Sequence, residues 1–86
     1  MLRINYVRQP EKFLDNAPQV LRRRILDKIE LLRADPVPHD AVRVQGDAGP
    51  TFRIRVGDYR VLYQIITAEQ RIKIVKIDKR AHAYDR

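Results

Sequence analysis

The sequence predicts an α+β domain in which an N-terminal strand and a helical hairpin pack on one face of an antiparallel sheet. Three observations carry this reading: a helical apolar period between residues 18 and 35, a two-residue alternation from residue 52 onward, and a Gly-Asp step at 57–58 joining two alternating runs. Neither a helical stripe nor a single sheet face can be buried alone, so each is expected to cover the other.

The elements follow in order. Leu2, Ile4 and Tyr6 alternate with Arg3 and Asn5, as in a first strand half buried against something apolar. Pro10, placed at the first position of a helix, opens a short helical segment carrying Phe13 and Leu14 that closes near Asn16-Ala17-Pro18. From Pro18 a longer helix is expected, with Leu21, Ile25, Ile29 and Leu32 on one stripe and Val20 and Leu26 widening it. Asp35-Pro36 and Pro38 end it, and the two helices read as an antiparallel hairpin with one apolar face. Residues 36–50 hold three prolines and two glycines with little periodicity and read as a connecting loop inside one domain.

Phe52-Arg-Ile-Arg-Val56 and Tyr59-Arg-Val-Leu-Tyr-Gln-Ile-Ile66 flank Gly57-Asp58, which suits a type II′ turn. A two-residue turn fixes the register, so 56 faces 59, 55 faces 60 and 52 faces 63. Phe52, Ile54, Val56, Val61 and Tyr63 then share the core face, and Arg53, Arg55 and Arg60 share the other. A third strand from Arg71 to Asp78 pairs back through a turn at Thr67–Gln70, with Ile74 opposite Tyr63 and Ile72 opposite Ile65.

Eighty-six residues make one domain, residues 1–86, with a thin core, since a chain this short buries roughly 60–65% of its unfolded surface. There is no cysteine, hence no disulfide framework and no thiolate metal site. The N-terminus lacks an apolar signal region and no apolar run is long enough to span a bilayer, which predicts a soluble, cytoplasmic protein. The net charge of +7 and pI near 10.3 point to a polyanionic partner. That charge is concentrated late: residues 51–86 hold nine Lys/Arg against four acids, and residues 1–50 hold nine against seven.

The register sets Arg55 directly opposite Arg60, with Arg53 two positions along. Like charges so opposed destabilise a sheet by some tenths of a kcal/mol. A phosphate bridging the guanidinium groups turns that repulsion into charge-assisted hydrogen bonds. Three arginines on a solvated face are ordinary by themselves, but Asp78-Lys79-Arg80-Ala81-His82-Ala83-Tyr84-Asp85-Arg86 adds two cations and an aromatic just past the last strand. A tyrosine beside cations can stack on an unpaired base. Paired carboxylates on one face, a Gly-rich phosphate loop, a Ser/His/Asp set and metal-ligand spacing are all missing, so no cofactor or metal is expected. His39 and His82 read as solvated, and Arg22-Arg23-Arg24 reads mainly as the wet face of the long helix, open to RNA or an acidic partner.

The stretch Phe52-Arg-Ile-Arg-Val-Gly-Asp-Tyr-Arg-Val-Leu-Tyr-Gln-Ile, then Ile-Val-Lys-Ile-Asp-Lys-Arg and Tyr84, resembles the C-terminal core of the RelE/ParE toxin superfamily. The preceding strand and helical hairpin match in order and length. A RelE-type resemblance implies a toxin that enters the ribosomal decoding site and cuts messenger RNA by attack of a ribose 2′-hydroxyl on the adjacent phosphate, without metal, and that a RelB-type antitoxin restrains. It assigns the active surface to Arg53, Arg55, Arg60, Arg80 and Tyr84. By position Arg53 and Arg60 hold the scissile phosphate, Arg80 assists the leaving 5′-oxygen, and Tyr84 orients or stacks on a neighbouring nucleotide. Arg55 stands where some members carry lysine as proton acceptor; with a pKa above about 12, arginine is suited to charge stabilisation instead. Lys79, preceding Arg80 where many relatives carry histidine, is the alternative group for proton transfer.

Two other readings share these residues. A ParE-type toxin acts on DNA gyrase and does not need the arginine cluster. A non-catalytic RNA-binding module would use the same basic face, but Phe52, Tyr59 and Tyr63 all fall on the helix-covered side, leaving that platform without stacking rings.

Overall fold

The computed structural model describes residues 1–44 and 49–79. Its elements are β1 (Arg3–Tyr6), α1 (Arg8–Asn16), α2 (Gln19–Glu30), β2 (Val42–Val44), β3 (Thr51–Val56), β4 (Tyr59–Ile66) and β5 (Arg71–Lys79). A 3₁₀ turn, Leu31–Arg33, extends α2, and another, Thr67–Glu69, joins β4 to β5. The five strands form one sheet in the order β1-β5-β4-β3-β2. Neighbours run antiparallel except β1, which lies parallel to β5. No helix among the described residues is long and apolar enough to cross a membrane.

The two-residue connection at Gly57-Asp58 behaves as expected. Gly57 sits at φ +60 while Asp58 stays out of the left-handed region, the pattern of a II′ turn. The register across it runs from Val56↔Tyr59 through Arg55↔Arg60 to Phe52↔Tyr63. Ile72↔Ile65 and Ile74↔Tyr63 pair as predicted, and Gln70, at φ 52, closes the turn before β5.

Ile54, Val61, Tyr63, Ile72, Ile74 and Ile77 are fully buried against Leu14, Ile25, Ile29 and Leu32 of the helical layer. This single apolar layer is the core. Phe52 stacks on Tyr63 with ring centroids 5.8 Å apart, and Phe13 of α1 meets Tyr59 edge-on at 5.6 Å. Tyr63 is the largest side chain in the core, and its hydroxyl donates to the Pro36 carbonyl at 2.6 Å, tying the end of the helical layer to mid-sheet.

Three expectations need correction, and the last strand adds a feature that none of them covered. Helix α1 begins at Arg8, so Pro10 is its third residue; the first-turn amides have no intrahelical acceptor, so proline is tolerated there, and its ring is buried. Val20 does not widen the apolar stripe of α2: it is 74% exposed, because the rotation that buries Ile25 and Ile29 turns it outward. The connection after Pro36 is not all loop, since Val42–Val44 pairs with β3 as an edge strand too short to show a period. Finally, β5 is not regular. Leu62 pairs with Lys76 but Tyr63 pairs with Ile74, so Val75 is an extra, unpartnered residue forming a bulge.

Helix α1 also completes the sheet. Past the end of β1, the Gln9 carboxamide takes the place of a strand, donating to the Ile77 carbonyl at 2.8 Å and accepting from the Ile77 amide at 2.9 Å. Those two buried backbone groups of β5 would otherwise lack partners.

Burial pushes the Tyr63 phenol up to about 12 from 10.0, with Asp40 and Asp35 adding to the rise. Below pH 10 folded and unfolded chains both keep the proton. Between pH 10 and about 12 only the unfolded chain releases it, so stability falls as pH rises. Thermal melts should show this fall, and Tyr63→Phe should flatten it. At neutral pH the same variant should lose about 1 kcal/mol, a drop in Tm of roughly 4–8 °C, from the orphaned Pro36 carbonyl.

Candidate functional site

A strand's two faces alternate, so the register that buries Ile54, Val56, Val61 and Tyr63 obliges Arg53, Arg55 and Arg60 to emerge together from the other side. Arg55 and Arg60 are direct partners across the ladder, next to the turn, and Arg53 is the direct partner of Leu62, which sets it diagonal to Arg60. Arg55 is exposed, whereas Arg53 and Arg60 are half-buried.

The same face gathers cations that the residue pattern alone did not assign to it. Lys76 and Asp78 pair with Leu62 and Arg60, while Lys73 pairs with Gln64 and Arg71 with Ile66. Through the parallel pairing of β1, Arg3 joins Arg71 and Asn5 joins Lys73. Among the described residues, seven cations thus share one sheet face: Arg3, Arg53, Arg55, Arg60, Arg71, Lys73 and Lys76. Arg71 is tied laterally, Nε to Glu69 Oε1 at 2.6 Å and Nη1 donating to Asn5 Oδ1 at 3.3 Å. The alternation of Arg3 and Asn5 with buried neighbours was a readable signal for β1; its parallel pairing to β5 was not.

Asp78 was not predicted to belong here. Its Oδ1 lies 3.6 Å from Arg60 Nε and its Oδ2 lies 3.8 Å from Lys76 Nζ. The Arg60 and Asp78 side chains retain only 12% and 28% of their exposure, so solvent screens this contact less than a surface pair. A signal was present: the apolar residues of β5 are spaced two apart from Ile72 to Ile74 and then three apart to Ile77, a break in parity that marks the bulge.

A hollow of about 250 Å³ beside the cluster is lined by Asp40, Val42, Arg53 and Arg55. Asp40 accepts from Lys28 Nζ at 2.8 Å, and this hydrogen bond holds its carboxyl below the usual carboxylate range. The hollow therefore has a cationic floor, one apolar wall and one ionised carboxylate.

Lys79 is not brought to this face. Its ladder partner is Tyr59, and its ammonium stands 5.9 Å from the centre of that ring, on the helix side. That ring, with Phe13 and Leu21 among others, lines a groove of about 440 Å³ that includes none of the arginines. Arg80, His82 and Tyr84 lie outside the described residues. His39 is exposed in the turn before β2. Of the run on α2, Arg23 and Arg24 are exposed, and Arg24 spreads over the β3–β4 turn, where a Cβ on Gly57 would meet its Nη2 at 3.1 Å. Phe52, Tyr59 and Tyr63 fall on the helix-covered side as expected, and Arg43 crosses the Phe52 ring there at 5.8 Å.

Chemically, such a face can offer several guanidinium groups to a chain of phosphates, and it offers no ring for base stacking among the described residues. Comparison with known proteins agrees with this architecture. The family model for the ParE toxin of type II toxin-antitoxin systems matches residues 6–84. A Methanocaldococcus jannaschii protein named as a RelE1 toxin is 32% identical over 76 residues, covering 85% of this chain and 83% of its own. The RelE–RelB complex of Pyrococcus horikoshii contains a chain with a TM-score of 0.82 and 32% identity, covering 95% of this chain and 98% of that one. The isolated Escherichia coli RelE toxin, at 15% identity, shares the fold, with a TM-score of 0.76 over 92% of this chain and 84% of its own. The chain belongs to the RelE/ParE superfamily of toxins from type II toxin-antitoxin systems. Within it, the features seen here are those of a RelE-like toxin.

Because Arg55 and Arg60 repel each other across the ladder, Arg55→Thr should raise the unfolding free energy by a few tenths of a kcal/mol in urea titrations at low salt. The gain should shrink as salt is added. A loss of stability would show that the pair is not strained.

Proposed function

We propose that this toxin is an endoribonuclease that cuts messenger RNA in the ribosomal decoding site. The observation that supports it most directly is the joint projection of Arg53, Arg55 and Arg60 from one open face. In this reading the 2′-oxygen of one nucleotide forms a bond to the adjacent phosphorus as the bond to the 5′-oxygen breaks. The 2′-hydroxyl gives up its proton and the leaving 5′-oxygen gains one, leaving a cyclic phosphate and a free 5′-hydroxyl.

Arg53 and Arg60 hold the scissile phosphate, and Arg55 opposes the negative charge that grows on its oxygens. Preorganised donors of this kind commonly contribute two to three orders of magnitude in rate. Arg80 and Tyr84 keep the roles that the family resemblance gives them, at the leaving oxygen and on a neighbouring nucleotide. Arg55 is too basic to accept a proton and Lys79 faces Tyr59 rather than the arginines, so the 2′-hydroxyl proton passes to solvent water. The reaction calls for no metal, because the guanidinium groups supply the charge.

A RelB-type antitoxin is the proposed partner. Seven cations on one face and a core one layer thick suit an acidic segment that folds as it binds, neutralising charge and adding buried surface. The Pyrococcus horikoshii relative was crystallised with such a protein. The competing reading, inhibition of DNA gyrase, draws on the ParE description of the family; the arginine cluster and the RelE names of both relatives at 32% identity favour the ribonuclease.

Primer extension on a reporter message in a cell-free translation reaction tests the choice. Discrete in-frame cuts should appear with the native protein, vanish without ribosomes, and fall by about two orders of magnitude with Arg60→Ala. Arrested translation with intact message would instead indicate binding without chemistry. Undisturbed translation would move the question to gyrase supercoiling assays.

A further inference from the structure

Asp78 is the only acidic residue in any of the five strands, and it stands in the middle of a cationic face. A carboxylate there lowers the attraction of the face for phosphates, so its presence calls for a reason. The backbone is also adjusted to place it. A regular ladder continued from Tyr63↔Ile74 would set Ile77 opposite Arg60 and Asp78 opposite Tyr59, on the helix side. The extra residue Val75 shifts the strand by one, so that Ile77 enters the core and Asp78 becomes the ladder partner of Arg60. Bulges beside functional sites commonly re-aim a side chain in this way.

The contact so made is sheltered: Arg60 Nε and Asp78 Oδ1 are 3.6 Å apart, on side chains 12% and 28% exposed. An arginine has several freely turning bonds, and its planar guanidinium is useful to a phosphate only in one orientation. A carboxylate on the neighbouring strand, itself placed by the bulge, stands at ion-pair rather than hydrogen-bond distance from the Nε edge of that plane and attracts it.

We propose that Asp78 is a positioning residue that fixes the Arg60 guanidinium for the RNA phosphate, delivered to it by the bulge at Val75. This rests on the reading of Arg60 as a phosphate-binding group. It carries a signature that charge alone does not: removing the carboxylate makes the face more cationic and strengthens RNA binding, yet it slows turnover because Arg60 loses its orientation. Asp78 touches no reacting atom, so its effect passes wholly through Arg60.

The test compares the native protein, Asp78→Asn, Asp78→Glu, Arg60→Ala and the Arg60→Ala/Asp78→Asn double variant in the ribosome-programmed cleavage reaction. Asparagine keeps the shape and removes the charge. Asp78→Asn should lower kcat at least tenfold with KM unchanged or smaller, Asp78→Glu should recover part of the loss, and the double variant should be no slower than Arg60→Ala alone. Cleavage by Asp78→Asn at the native rate, or losses that multiply in the double variant, would overturn the proposal. A second arm needs no activity. In ¹H–¹⁵N spectra the Arg60 Nε–H resonance, identified by its disappearance in Arg60→Ala, should be protected from exchange in the native protein and lose that protection in Asp78→Asn. If the native protein cuts no message, the functional reading fails, and this resonance alone decides whether Asp78 fixes Arg60: lost protection upholds the pairing and retained protection refutes it.

Discussion

The structure depends on a constraint of parity: strands β3 and β4 cannot slip past each other by one residue. Such a slip would expose Ile54, Val56, Val61 and Tyr63 and drive Arg53, Arg55 and Arg60 beneath the helices. Burying those charges without partners costs far more than the mutual repulsion of Arg55 and Arg60 at the surface. The two-residue turn at Gly57 enforces the same register locally, with Arg24 of the long helix spread across it. The core thus holds in place a cationic arrangement that the face alone would not favour. An unfavourable interaction of some tenths of a kcal/mol is maintained because releasing it would forfeit several buried side chains.

Strand β5 obeys the same rule with one exception built in. Its first half presents Ile72 and Ile74 to the core in regular alternation. At Val75 the ladder gains a residue, and the second half resumes with Ile77 inward and Lys76 and Asp78 outward. The exception sorts three charged side chains: Lys76 and Asp78 join the arginines, and Lys79 turns to the ring of Tyr59. The bulge also leaves Ile77 with backbone groups past the end of β1, and the Gln9 carboxamide satisfies both. A helix residue thereby stands in for a strand, which ties α1 close against β5.

The basic face is broader than the arginine triad because β1 extends it. Parallel pairing with β5 adds Arg3 beyond Arg71 and Asn5 beyond Lys73, and Asn5 and Glu69 hold the Arg71 guanidinium between them. On the far side, β2 adds the apolar wall of Val42 and the nearby carboxylate of Asp40. The face therefore has a graded character, cationic from β1 across β5 and β4 to β3 apart from Asp78, and mixed at the β2 edge.

By itself the sequence determined whatever depends on neighbours along the chain: the helical stripe, the alternation, the II′ turn, and with these the register that opposes Arg55 to Arg60. It also implied the two-layer arrangement, since both apolar faces need cover. The tertiary structure alone decided the parallel placement of β1, the edge strand at Val42–Val44, the outward turn of Val20 and which residues the bulge at Val75 brings opposite one another. Each of these is settled by contacts between distant parts of the chain. Arg71 and Asn5 are 66 residues apart and Gln9 and Ile77 are 68 apart, and no local pattern records such a pairing. Asp78 shows the difference most clearly. Its identity is written in the sequence, but the face it serves was set by where Ile77 had to go, because a fully buried isoleucine outweighs the regularity of one ladder step.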